Sequence, residues 1–156
     1  MRLHRGETII VDEQYMKLER VLVAVNGKDS DVETVKLACD LAKKFKAKVY
    51  VVYVIEVKRS LPLDATIESE IEKAEKALSR AEEIAAEHDY EVETDLVQAR
   101  EVGPAIVDEA MERDVDLIVM GFGYKKRFGI FNLGRVIPYV LEEAPCRVLL
   151  YRENIS

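Results

Sequence analysis

Two short runs rich in β-branched residues, Arg20-Val-Leu-Val-Ala-Val25 and Lys48-Val-Tyr-Val-Val-Tyr-Val-Ile55, are separated by about twenty residues whose apolar positions recur at helical spacing. No feature of the chain constrains its fold more. Runs this short and this apolar suit strands covered on both faces, and a gap of that length is what a helical crossover between parallel neighbours requires. Within the gap, Asn26-Gly27 ends the first strand and Ser30 with Glu33 makes a capping-box pattern. Val35, Ala38, Leu41, Ala42 and Phe45 then share one helical face.

The alternation repeats to the end of the chain. Ile67, Ile71, Ala74, Leu78, Ala81 and Ala85 step by four and three, predicting a helix over 66–88. Half of that seam is Ala and it spans barely three heptads, which favours a helix lying close on a sheet over a coiled coil. Residues 90–97 alternate as Tyr90, Val92, Thr94 and Leu96, the pattern of a strand near a sheet edge. Gly103-Pro104 opens the next helix, with Pro at a favoured first position. The fourth strand is 117–120, the last helix follows Gly134, and the fifth strand is 146–151. Five strands alternating with four helices predict an α/β domain with an open parallel sheet and helices on both faces. A leader (1–18), a single domain (19–152) and a short tail (153–156) are expected, and Thr8-Ile-Ile-Val11 could supply a short extra strand.

Composition narrows the function. The 156 residues are 49% hydrophobic, enough for one ordinary core, and 30 acidic against 23 basic residues give a net charge of -7 that disfavours nucleic acid as a partner. No apolar run approaches the roughly 20 residues of a membrane span, and the N-terminus lacks a signal-peptide core, so a cytoplasmic location is expected. Cys39 and Cys146 are isolated from each other and from His4 and His88, which speaks against a metal site or a redox pair. The general base most used by enzymes is thus missing from the expected pocket, and no dedicated catalytic activity is indicated. Abundant Glu and Lys with only five amides lean toward a thermophile.

One region looks like a ligand site. Gly121 closes the apolar strand Asp116-Leu-Ile-Val-Met-Gly121, and Gly134 follows a twelve-residue loop to open a helical stretch. There close backbone approach and free N–H donors would suit an anion such as phosphate. Lys125, Lys126 and Arg127, the compact basic cluster of an acidic chain, lie between the two and are candidate phosphate contacts.

Val21-Leu-Val-Ala-Val25, Gly103-Pro104-Ala105, Asp116 to Gly121 and Glu143-Ala-Pro-Cys-Arg-Val-Leu-Leu150 resemble, in order and spacing, the universal stress protein family over about residues 19–152. That resemblance implies a strand order of 3-2-1-4-5, a stress-response role and a homodimer paired through the fifth strand, here Val148, Leu149, Leu150 and Tyr151. It also implies, in the ATP-binding branch, adenine near the ends of strands one and two and phosphates on a glycine-patterned loop. The residues placed there are Asn26, Val54, Gly121, Gly123, Gly134 and Arg135, with ATP or AMP as ligand and magnesium only alongside it. The loop matches in part. Tyr124 stands at the middle glycine, leaving Gly123 to serve; Arg135 replaces Ser or Thr; and Asn26 replaces the usual Asp. A dimeric interaction module of the same fold that binds no nucleotide is the alternative. Asn26-Gly-Lys-Asp-Ser30 is also similar to the loop of PP-loop ATP pyrophosphatases, although one residue is missing from the phosphate nest. A receiver domain lacks its acidic residues here, and a flavodoxin lacks its phosphate loop.

Overall fold

The computed structural model describes residues 17–123, 126–127, 130–131 and 133–153, the two central pairs as backbone only. The expected extra strand at 8–11 and His4 lie outside them. The chain alternates as predicted: β1 (Arg20–Val25), α1 (Ser30–Phe45), β2 (Lys48–Glu56), α2 (Glu68–Glu87), β3 (Glu93–Ala99), α3 (Val102–Glu112) and β4 (Leu117–Phe122). A small antiparallel ribbon, β5 (Lys126–Arg127) with β6 (Ile130–Phe131), precedes α4 (Val136–Glu143) and β7 (Arg147–Arg152). The main sheet has the order β3-β2-β1-β4-β7 with every pairing parallel, which is the expected 3-2-1-4-5 arrangement.

Period-two geometry sorts the strand residues between two cores. Val21, Val23, Val49, Val51 and Val119 face α1 and α2, while Leu22, Val52, Ile118 and Met120 face α3 and α4. The Ala-rich seam of α2 lies on the first of these layers: Ala74, Leu78, Ala81 and Ala85 are all buried there, and small side chains let the helix sit close to the strands. Val35, Ala38 and Ala42 of α1 are buried beside them, with Leu41 and Phe45 at the margin.

Three expectations need correction. Pro104 is the third residue of α3, after Val102 and Gly103, and not its first. Ser30 and Glu33 make no capping box: the N-cap is Asp29, no side chain caps it, and Ser30 is the first helical residue with its side chain buried. The connection is held instead by Asp31, whose carboxylate accepts from the backbone N–H of Asn26 (3.1 Å) and Gly27 (2.7 Å). The third strand starts at Glu93, not Tyr90. Tyr90 belongs to the exit of α2, its N–H donating to Ala85 O after Asp89 in the left-handed region, and its hydroxyl donates to Ala47 O. Tyr90 and Val92 still pack on the core, which explains why their alternation reads as strand.

Two side chains of β3 and its end hold the β2–α2 connection. Arg100 Nη1 donates to Lys58 O (2.6 Å) and Leu61 O (2.8 Å), and Gln98 Nε2 donates to Leu63 O and Ala65 O, both at 2.9 Å.

Candidate functional site

In an open parallel sheet the crevice forms beyond the carboxyl ends of the strands where the chain order reverses. Here that point lies between β1 and β4, because β2 leaves β1 on one side and β4 returns on the other. A cavity of about 750 Å3 occupies it, within the range of roughly 300–1,000 Å3 typical of small-molecule sites. Asn26, Gly121, Gly123, Gly134 and Arg135 all line its wall. Val54 does not. It stands on β2 opposite Val97, half-buried on the same sheet face but outside the lining. Lys126 and Arg127 form β5 in the connection between Gly123 and Gly134; Tyr124 and Lys125 lie outside the described residues.

The glycines of the wall have three different causes. Gly134 has φ +74 with nothing within 4 Å of an added Cβ, so it is required by backbone conformation alone. Gly121 has no positive φ, but a Cβ there would stand 1.9 Å from Thr34 Oγ1, so its smallness seats α1 against β4. Gly123 faces Glu153, whose Oε1 would lie 3.3 Å from an added Cβ. Glu153, in the predicted tail, is thereby part of the crevice, and its N–H donates to Phe122 O at 3.1 Å.

Gly134 turns the chain into α4, whose N-cap is Arg135. The N–H groups of the first helical residues, Val136 and Ile137, have no carbonyl one turn back within the helix. Pro138 occupies the third position, where its missing N–H would have been an orphan anyway, and Tyr139 N closes the first turn on Arg135 O. The crevice is therefore offered the positive end of a helix dipole, an exposed guanidinium and the slender backbone of β4. Its apolar side is Ala24, Val102, Ile106, Met120 and Leu133, a surface suited to a flat ring rather than an ion.

The opposite wall is the β1–α1 loop. Asn26 Oδ1 accepts from Lys28 N (3.0 Å), an Asx turn, while Gly27 takes φ 81. Burial pushes the Asp31 carboxyl above its ordinary range, and the N–H groups of Asn26 and Gly27, with Lys28 nearby, pull it back part of the way. Sequence reasoning missed Asp31, Thr34 and Glu153. Each acts by meeting a segment that only the fold brings near it. Among the described residues no group of three or more His, Cys, Asp or Glu could hold a metal ion.

These features define a class, an open α/β domain with a crevice at the switch point of its sheet. The universal stress protein family profile matches residues 17–152, and the chain belongs to that family. It is 30% identical to universal stress protein MJ0531 of Methanocaldococcus jannaschii over 141 residues, 86% of this chain and 82% of that one. Among solved structures it is similar to a universal stress protein from Archaeoglobus fulgidus, with TM-score 0.73 and 27% identity over 85% of this chain and 97% of that one. A universal stress protein from the same organism, solved in complex with dAMP, matches with TM-score 0.68 and 28% identity, covering 86% and 98%.

Proposed function

We propose that this universal stress protein binds an adenine nucleotide, ATP or AMP, in the β1/β4 crevice and works as a binding protein rather than a dedicated enzyme. The observation that carries the reading is the convergence of Gly121, Gly123, Gly134, Arg135 and Asn26 on one cavity of about 750 Å3, although they come from three separate segments. The phosphates would rest against the α4 N-terminus and Arg135, and the ring against the apolar side. The dAMP bound by a relative of 28% identity supports that placement. A charge-assisted bond from Arg135 is worth about 1.5–3 kcal/mol against about 0.5–1.5 for the hydroxyl it replaces. The protein would act in the cytoplasm as a homodimer. Val148, Leu149, Leu150 and Tyr151 of β7 lie on an edge strand, half-buried, and a twofold copy would complete its hydrogen bonding.

Calorimetric titration with ATP, AMP and adenosine, with and without magnesium, tests the ligand, and light scattering at micromolar protein tests the dimer. Arg135→Ala should weaken ATP about tenfold or more while leaving adenosine within about twofold, as loss of one charge-assisted contact requires. Equal losses for both would remove Arg135 from the phosphate subsite. The second reading, an interaction module without nucleotide, is favoured by Glu153, whose carboxylate enters the crevice beside Gly123 and would repel phosphate. Failure of every nucleotide to bind at millimolar concentration decides for it.

A further inference from the structure

A second cavity, of about 430 Å3, lies on the other face of the sheet between α2 and the β1–α1 loop. Its floor is apolar and packed: Val35, Ala81 and Ile84 are almost fully buried, with Val32 and Ala77 beside them. Its rim is basic. Lys73, Lys76 and Arg80 stand along one side of α2, three and four residues apart, and Lys28 reaches the cavity from the loop. In a chain of net charge -7 such a grouping runs against the average field.

Two of these four cations are unspent, and a third, Lys28, acts only at a distance on Asp31. Lys73 pairs with Glu70 at 3.6 Å, whereas Lys28, Lys76 and Arg80 form no ion pair among the described residues. Of the two acids in the lining, Asp31 is already engaged by the N–H groups of Asn26 and Gly27. Tyr53 gives a second and independent sign. It is only 9% exposed, lines the cavity, and its hydroxyl has no hydrogen-bond partner among the described residues. No enclosed side-chain polar atom among those residues lacks a partner, so this hydroxyl keeps some exposure, on a residue that lines the cavity. Burial, with Glu70 and Asp31 nearby, raises the phenol's pKa and keeps it a donor.

We propose that this cavity is a binding site for a small organic anion, an apolar aryl or alkyl body carrying a carboxylate head. The body would lie on the Val35, Ala81 and Ile84 floor, and the head would take hydrogen bonds from Tyr53, Lys76 and Arg80. The volume is near the lower end for ligand sites, which suits a molecule of about a dozen non-hydrogen atoms. Nucleic acid does not fit, because the basic groups gather at one hollow of a net acidic chain rather than extending over the surface. The site is separate from the crevice proposed for nucleotide, although Asn26, Lys28 and Asp29 border both.

The full-length protein should be titrated with 4-phenylbutyrate, followed by amide chemical shifts, with 4-phenylbutanol and inorganic phosphate as controls. The carboxylate should bind with a Kd on the order of a millimolar or tighter, and both controls at least about tenfold more weakly, since each lacks one of the two recognised parts. Shifts should gather on residues 28–35, 53 and 73–84. The double variant K76Q/R80Q, both at exposed positions, should weaken binding at least about tenfold without moving the urea midpoint, and Y53F by a smaller factor. The proposal is overturned if 4-phenylbutyrate and the alcohol bind alike, or if K76Q/R80Q binds as the wild type does. Shifts gathering on residues 121–137 overturn it as well, since they would place the anion in the nucleotide crevice.

Discussion

Gly121→Ala offers the sharpest test of what the glycine at the end of β4 is for. The added methyl would stand 1.9 Å from Thr34 Oγ1, 3.2 Å from Thr34 Cβ and 3.4 Å from Ser30 O. Thr34 is 1% exposed and its hydroxyl donates to Ser30 O at 2.7 Å, so it has no space to retreat into and a bond to lose if it turns. Overpacking of this kind costs about 1–3 kcal/mol, and the stiffer unfolded chain returns about 0.4–1 kcal/mol, since φ here is ordinary. A net loss of about 1–2 kcal/mol is expected, a fall of roughly 0.5–1 M in the urea midpoint measured by far-ultraviolet circular dichroism. Thr34→Ala removes the clashing oxygen, so G121A/T34A should be no less stable than G121A alone, a coupling of about 1 kcal/mol or more. If G121A keeps the wild-type midpoint, or the two losses add, the seating of α1 on β4 is not the reason for this glycine.

Gly134→Ala should cost about 1–2 kcal/mol by the same assay, all of it backbone conformation, and Gly134→Asn should recover much of the loss because Asn tolerates the left-handed region. For Asp31 the folded pKa is raised, so the folded state holds its proton to higher pH than the unfolded chain. Its contribution is most favourable below the ordinary range of an aspartate carboxyl and is lost as pH rises through the raised folded value. The stability of wild type minus that of D31N should therefore fall as pH climbs from about 4, in paired urea titrations, and a difference independent of pH would refute the buried-carboxylate account. Cys39, 1% exposed and with its thiol pushed up to about 11 by burial and then by Asp40, should resist a thiol reagent at pH 8 in the native protein. Cys146, which is partly exposed, should react first.

The sheet was legible because its signal is local: β-branched runs in Arg20–Val25 and Leu117–Phe122 need no knowledge of their neighbours to be read as strands. The strand order was not local, and came from the family resemblance. Legibility fails where a side chain answers to a distant segment. Tyr90 looks like the start of a strand because it is apolar in alternation, yet its place is set by Ala47 and the exit of α2. Ser30 and Glu33 have the letters of a capping box, but the loop folds back onto Asp31 and draws Ser30 into the buried first turn. At the crevice, five of the six nucleotide residues chosen from the sequence do converge. The sixth, Val54, shares the face but lies beyond the lining.

The fit between Gly121 and Thr34 bears on how signature glycines are understood. A position held small by the architecture persists whether or not a ligand ever arrives, because any side chain there would lift a helix off its sheet. A member of this family could abandon its nucleotide entirely and still display that glycine. Its presence testifies to how the layers nest, and binding has to be judged from the residues that the layers leave free to vary.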